Sequence, residues 1–448
     1  MNAVERGLAI GRGVGRWWRK WLVVVLVALS YLLVFSQRTG PGLITDQLQS
    51  EFHVSAAVLG TMTSVQYLLY MVLQIPVGLS GDRFGPERLF AAGVLLDGLG
   101  TLVFSRADAF VWLLLGRAIV GLGDALIWVN LVIILAKRYL PQQFGALLGI
   151  VGMGGNLGAL LTTLPFAAWI AAAGWRTPFS ILAGVLMLVA VCDWLALSGG
   201  RGAAKRRRDG GLSDADPDSQ ENRVKIHPVP VRRILADVVR DRLSWATFAC
   251  HFGIVGTYMG FVSLWAVPYF MAAYHVSRAG ASSFTLVGFI GALVGGPITG
   301  AMSDRMGSRR RPYVVLQALV ALSWITLWLG GGAWPAVVTY VQMLVIGFGN
   351  GGSLLTFAAI RDQTPMERSG VMSGFANTGG FFSAVLLPVA FGAVVDALSP
   401  QAASSTPSMH ALAAGLMVPA VFSVIGVAGA LLLPERQNLS EKSQEVAL

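Results

Sequence analysis

The sequence predicts an all-α polytopic membrane protein, with twelve transmembrane helices in two pseudo-symmetric six-helix bundles. Three observations carry that prediction. The 448-residue chain is 55% hydrophobic and only 12% charged, whereas a soluble domain carries about 25% charged residues. Apolar runs recur that reach the roughly 18 residues needed to cross a bilayer as a helix. A charged stretch also returns: GLSGDRFGPERLF at 78–90 reappears as GAMSDRMGSRRRP at 300–312. Gly78, Asp82, Arg83 and Gly85 align with Gly300, Asp304, Arg305 and Gly307, each 222 residues further on. The alternating segments of about ten residues that build an outer-membrane barrel are not seen.

Hydropathy places the helices at 21–46, 56–79, 89–106, 109–136, 144–172, 178–198, 244–274, 281–303, 313–331, 335–360, 369–397 and 410–433. It reads so directly because backbone polar groups cannot go unpaired in lipid. The first run, WLVVVLVALSYLLVF, follows the basic RWWRK and lacks a small-residue cleavage site, so it is read as a membrane helix rather than a signal peptide. A long polar segment, 199–243, separates the sixth helix from the seventh. KRRRDGG and DADPDSQEN read as flexible linker, and VRRILADVVR is amphipathic enough to lie on a membrane surface. The expected organisation is therefore a bundle at 1–198, a cytoplasmic linker at 199–243, and a bundle at 244–448 with a short tail.

The net charge of +10 follows membrane orientation rather than nucleic-acid binding. With the N-terminus in the cytoplasm, only Arg106, Arg176 and Arg278 of the 33 Lys and Arg residues fall on outside loops, and Arg38 and Arg117 fall inside helices. The rest are cytoplasmic, which places both termini inside. Cys192 and Cys250 sit in apolar runs with neither zinc nor disulfide spacing. No Walker A sequence appears, so ion gradients remain as the energy source. No catalytic carboxylate pair, metal cluster or nucleophile constellation points to an enzyme, and no cofactor is expected. Usage rich in Ala, Gly and Arg suggests a bacterial source.

A GxxxDRxG loop present once per six-helix half resembles the major facilitator superfamily. So does GRAIVGLGDA in the fourth helix, where Arg117, Gly121, Gly123 and Ala125 match that superfamily's Arg-xxx-Gly-x-Gly-x-Ala signature. The likeness covers about residues 20 to 435. The antiporter signature of the fifth helix, with its Gly-Pro pair, is not evident in GIVGMGGNLGALLTTLP. The resemblance implies a secondary transporter working by alternating access. It also implies gating roles for Gly78, Asp82 and Arg83, with Asp304, Arg305 and Arg309 as second-half counterparts. A plain positive-inside turn is the alternative for both loops.

Ionisable residues inside membrane helices are costly and hence functional candidates. Arg38 in the first helix requires an anionic partner, since guanidinium stays charged. A substrate carboxylate or phosphate would suit it, as would a fixed salt bridge, and the resemblance favours substrate. Asp97 lies mid-way along the third helix and Asp124 mid-way along the fourth. Arg117 precedes Asp124 by two turns, on one face and about 10 Å along the axis. Burial favours the neutral form of a carboxyl group, so either Asp is a candidate proton carrier tuned by Arg117, against a static Arg–Asp pair. Asp193 and Asp396, near helix ends, read as interfacial. Tyr67, Tyr70 and Gln74 share one face of the second helix. His251, Tyr258 and Trp265 recur every seven residues in the seventh. With Asn350 and Asn377 they are candidate cavity residues, although aromatic stripes usually pack. The glycine runs GMGGNLGA, GFIGALVGG and GFGNGG serve close helix packing.

The reading is a monomeric transporter of the cytoplasmic membrane that moves a small organic anion, a carboxylate or sugar acid, with a proton. Two alternatives stay open: proton-coupled efflux of amphipathic drugs, and a non-transporting sensor on a transporter fold.

Overall fold

The computed structural model describes residues 3–139, 141–198, 231–364, 366–399 and 407–435. Among them, twelve helices are long and apolar enough to cross a membrane: Trp21–Leu43, Ala56–Gln74, Pro86–Ser105, Phe110–Arg138, Ile150–Ala173, Arg176–Leu197, Arg242–Tyr274, Arg278–Met306, Arg310–Gly330, Ala336–Gln363, Arg368–Leu398 and Met409–Leu432. They are numbered here span 1 to span 12. No strand occurs among the described residues. The basic and acidic part of the linker lies outside them, while VRRILADVVR forms the helix Val231–Arg240.

Local chemistry sets the ends. Ser277 and Ser408 cap spans 8 and 12, accepting from the backbone N–H of Gly280 and Ala411 at 3.2 Å each. Gly307 closes span 8 in the left-handed region, with φ +59°. Where the structure departs from the sequence reading, backbone chemistry explains it. Span 1 is helical to Thr39 and then tightens into a 3₁₀ turn, Gly40–Leu43, around Pro41. Span 5 is not one helix over 144–172. It breaks at Thr162 and Thr163, where Pro165 has no N–H to give to the Leu161 carbonyl and sits instead in the first turn of the helix Leu164–Ala173. Span 7 contains two π turns, Phe252–Gly256 and Phe261–Trp265.

The halves meet along spans 2 and 11. Gly60 lies against the backbone of Pro388 and Val389, and Gly392 against Ala56 and Ala57; a Cβ at either glycine would collide with main chain. Such backbone contact is what small residues allow between membrane helices. Polar latches sit at the same end, away from the linker. Arg278 Nη1 and Nη2 donate to Asp46 Oδ1 and Oδ2 at 2.8 Å each, a bidentate pair across the halves. Both oxygens of Asp396 accept from the backbone N–H of Ala56 and Ala57 at 2.8 Å, capping span 2 from span 11. Thr45 Oγ1 donates to the Leu264 carbonyl at 2.6 Å. Asp396, read from sequence as merely interfacial, thus caps span 2 alongside Ser55, whose Oγ accepts from the Val58 N–H at 3.4 Å.

At the linker end, the second charged loop is tied within its own half. Arg309 Nη1 donates to Asp304 Oδ1 at 2.5 Å, and Nε to Asp362 Oδ2 at 2.9 Å. Burial works against the Arg309 charge, but both carboxylates hold its pKa above the ordinary guanidinium value. Arg305 is exposed. In the first half Arg138 Nη2 meets Glu87 Oε1 at 3.2 Å. Gly78, Asp82 and Arg83 lie outside the residues whose side chains are described.

The latches generate a prediction. Arg278→Ala combined with Asp396→Ala and Thr45→Val removes all three. A cysteine placed at Ser263, in a background lacking Cys192 and Cys250, should then react several-fold faster with an impermeant maleimide added on the side of the 1–2 connection. Unchanged labelling would mean that the glycine contacts hold the seal alone.

Candidate functional site

The charged residues of spans 1 to 4 converge inside the first bundle. Arg38 Nη2 donates to Asp124 Oδ1 at 2.7 Å, with the residues 5% and 1% exposed. The other oxygen of Asp124 accepts from Gln66 Nε2 at 2.7 Å. Gln66 turns its carbonyl oxygen to Arg117 Nη2. Arg117 Nη1 also donates to Gln37 Oε1 at 3.0 Å and weakly to the Gln37 carbonyl at 3.4 Å. One glutamine therefore joins an anion to a cation, as an amide with both donors and an acceptor can.

This differs from the pairing that the Arg117–Asp124 spacing suggests. Arg117 hydrogen-bonds to amides and carbonyls, and it is Arg38, from the neighbouring span, that reaches Asp124. The two-turn separation on span 4 explains this: Gln66 fills the gap that neither side chain closes. Neither charge nor spacing marks out Gln37 in the sequence. The signal available was an uncharged polar residue beside, or facing, an intramembrane arginine.

Asp97 occupies a different environment. It is fully buried, and neither of its carboxyl oxygens makes a hydrogen bond among the described residues. Gln37 Nε2 faces it without closing one. The carboxyl group packs against the backbone of span 4 at Gly123, where a Cβ would collide with Oδ1. Any side chain there would displace Asp97, which gives the second glycine of GLGDA a local purpose. Asp193 is also fully buried rather than interfacial, its Oδ2 accepting from Ser30 Oγ at 2.6 Å.

Arg38 also borders a narrow central cavity of about 20 Å³, room for about one water molecule. Tyr67, Asn156, Tyr258, Ser263 and Asn350 line it with Arg38. The guanidinium lies 4.5 Å from the Phe35 ring centroid and 5.5 Å from that of Tyr70. Tyr70 in turn meets Phe381 of span 11 at 4.3 Å, a contact between the halves. Gln74 and Asn377 are half-buried and do not line this cavity. His251, Tyr258 and Trp265 do not form one stripe. His251 Nδ1 bonds Thr356 Oγ1 of span 10 at 3.0 Å, and Tyr258 packs on Phe289 of span 8. Trp265 donates to the Pro388 carbonyl at 3.0 Å and stacks on Phe391 of span 11. Each π turn adds a residue to its turn, so a seven-residue spacing no longer returns to the same face.

Residues 27–388 and 266–446 match the family described as Major Facilitator Superfamily. The chain belongs to that superfamily and is a membrane transporter. It is 23% identical over 403 residues to the probable galactarate/D-glucarate transporter of Bacillus subtilis (strain 168), covering 84% of this chain and 86% of that one. It is 22% identical over 393 residues to the D-galactonate transporter of Escherichia coli O6:H1, covering 84% and 89%. Its fold superposes on the crystal structure of a bacterial homolog of the human lysosomal transporter Spinster, inward-facing and unoccupied. There the TM-score is 0.71 at 16% identity, over 93% of this chain and 98% of that one. Membership accounts for the two bundles, the repeated loop and the signature on span 4.

The network makes a stability prediction. Arg38→Ala strands Asp124 in a buried site and should cost roughly 3–5 kcal/mol. Asp124→Ala added to it should recover part of that loss, giving a coupling of about 1–3 kcal/mol in a double-mutant cycle. Thermal unfolding in detergent reads both. Simple additivity would show that the pair carries no mutual energy.

Proposed function

We propose that this transporter moves a small organic anion, a carboxylate or sugar acid, together with a proton, by alternating access across the cytoplasmic membrane. The observation that carries the reading is Arg38, a buried guanidinium bordering the central cavity and held by a single carboxylate, Asp124. A substrate carboxylate competes with Asp124 for the same donors. Arg38 Nε is still without an acceptor, so a bidentate pair with substrate uses more of the fork than Asp124 does. Protonating Asp124 weakens its hold on Arg38 and leaves the arginine open to the anion, so proton and anion enter the site as a pair. Asp97 is the second candidate carrier, with Arg117 tuning both through Gln37 and Gln66. The names of the relatives, which cover galactarate, D-glucarate and D-galactonate, support an acidic substrate.

In this reading the 1–2 and 7–8 connections lie outside, both termini are cytoplasmic, and the protein acts as a monomer. The latches of Asp46 and Asp396 close the outer side. The charged loops at Asp82 and Asp304 gate the inner side as the halves rock. Tyr67, Tyr258 and Asn350 complete the site around Arg38.

Proton flux tests this. Purified protein in liposomes loaded with a pH dye should acidify the lumen when a sugar acid is added outside. Arg38→Ala should abolish the signal while the protein remains folded. Asp124→Asn should keep anion exchange but lose accumulation driven by a pH gradient. Proton movement with lipophilic cations only would replace this reading by drug–proton exchange.

A further inference from the structure

We infer that the central cavity selects a polyhydroxy acid bearing one carboxylate and rejects the diacid of the same carbon chain; this rests on the anion-transport reading above. The argument begins with charge. Among the described residues lining the cavity, Arg38 is the only charged one. The other intramembrane cation, Arg117, does not line it and is occupied by Gln37 and Gln66. One carboxylate therefore finds a counter-charge, and a second finds none. A charge buried without a partner is strongly unfavourable, far more so than a neutral group that can hydrogen-bond.

The rest of the wall supplies what hydroxyls need. Asn156 of span 5, Tyr258 and Ser263 of span 7, and Asn350 of span 10 all border the same space. Each donates and accepts, as does a sugar hydroxyl. The Tyr258 hydroxyl is the telling group. The residue is only 2% exposed, and its oxygen makes no hydrogen bond among the described residues. Buried polar groups are nearly always paired, so this orphan hydroxyl, which lies beside Gly288 of span 8, is a group that a ligand can satisfy once the surrounding side chains separate. Its ring is fixed edge-on against Phe289, with centroids 5.9 Å apart, so the hydroxyl is pre-positioned. In the contracted state the cavity holds about one water, and these side chains separate to admit substrate when the halves rock. The carboxylate then meets Arg38 in the first half, and the hydroxylated chain meets Tyr258 and Asn350 in the second. A site of this kind discriminates by leaving the wrong ligand's polar groups unpaired.

The test uses gluconate and glucarate, which share a six-carbon hydroxylated chain and differ in one carboxylate. In liposomes at neutral pH, labelled gluconate uptake should depend on Arg38, and unlabelled glucarate should compete at least about 100-fold more weakly than unlabelled gluconate. Asn350→Arg adds a second cation and should improve glucarate competition about tenfold or more. Tyr258→Phe, which removes one oxygen and keeps the ring, should raise the gluconate KM about tenfold at unchanged maximal rate, as expected for one lost hydrogen bond to substrate. Glucarate competing as well as gluconate would overturn the single-carboxylate inference while anion transport stands. Tyr258→Phe with unchanged KM would overturn the role of that hydroxyl. Movement of neither acid, with cation-driven proton flux, would overturn the anion reading itself and the inference with it.

Discussion

A guanidinium cannot shed its charge and cannot sit unpaired in hydrocarbon. Arg38 and Arg117 place that constraint at the centre of the first bundle, and much of its architecture answers it. Span 1 contributes Gln37, span 2 contributes Gln66 and span 4 contributes Asp124, so three helices are bound to one another through two arginines. The second bundle keeps its described charge cluster, Arg309 with Asp304 and Asp362, at the linker end. Its interior is filled by Phe261, Trp265, Phe270, Trp324 and Phe391, in edge-on and stacked contacts. The two halves share a fold and a repeated loop but divide the physics. One half holds charge in a fixed network, and the other presents a mostly apolar wall with a few polar tips.

Much of this was legible in the sequence. Twelve spans, the linker between them and the repeated loop follow from hydropathy and from one 222-residue offset, because lipid leaves a chain few options. The identities of the buried charges were legible for the same reason. Their partners were not. Spacing along span 4 put Arg117 and Asp124 on one face, but pairing depends on how spans 1 and 2 are rotated against it, and no period within one helix carries that information. Span 7 shows a second limit. A regular seven-residue recurrence implied one stripe of His251, Tyr258 and Trp265, yet two π turns send these residues to spans 10, 8 and 11 in turn. Gly253, Gly256 and Gly260 stand close to both turns, but glycine is so frequent in this chain that it singles out no bulge.

The repeat holds a further lesson in its charges. Glu87 pairs with Arg138 at the linker end of the first half, and Arg309 pairs with Asp362 at the corresponding end of the second. In each case the start of the third helix of a half is tied to the end of the fourth, but the signs are exchanged. Both halves place an ion pair at that corner, with the cation supplied by the fourth helix in one and by the start of the third in the other. A comparison of the halves by residue type therefore misses the correspondence that a comparison by interaction finds.

The site and the seal are mechanically continuous. Arg38 stands immediately before the end of the span 1 α-helix, and the chain then tightens through Gly40–Leu43. Gly42 in that turn lies against the backbone of Val262 and Ser263, within the second π turn of span 7. Thr45, just beyond it, bonds the Leu264 carbonyl in the same turn. The freed carbonyls of a π turn thus become the docking surface for the other half. The short turn thus joins the residue that holds Asp124 to a part of span 1 that packs against span 7. Packed interfaces of this kind change between discrete arrangements rather than by gradual deformation. What Arg38 holds and how the two halves meet are therefore set by neighbouring residues of span 1.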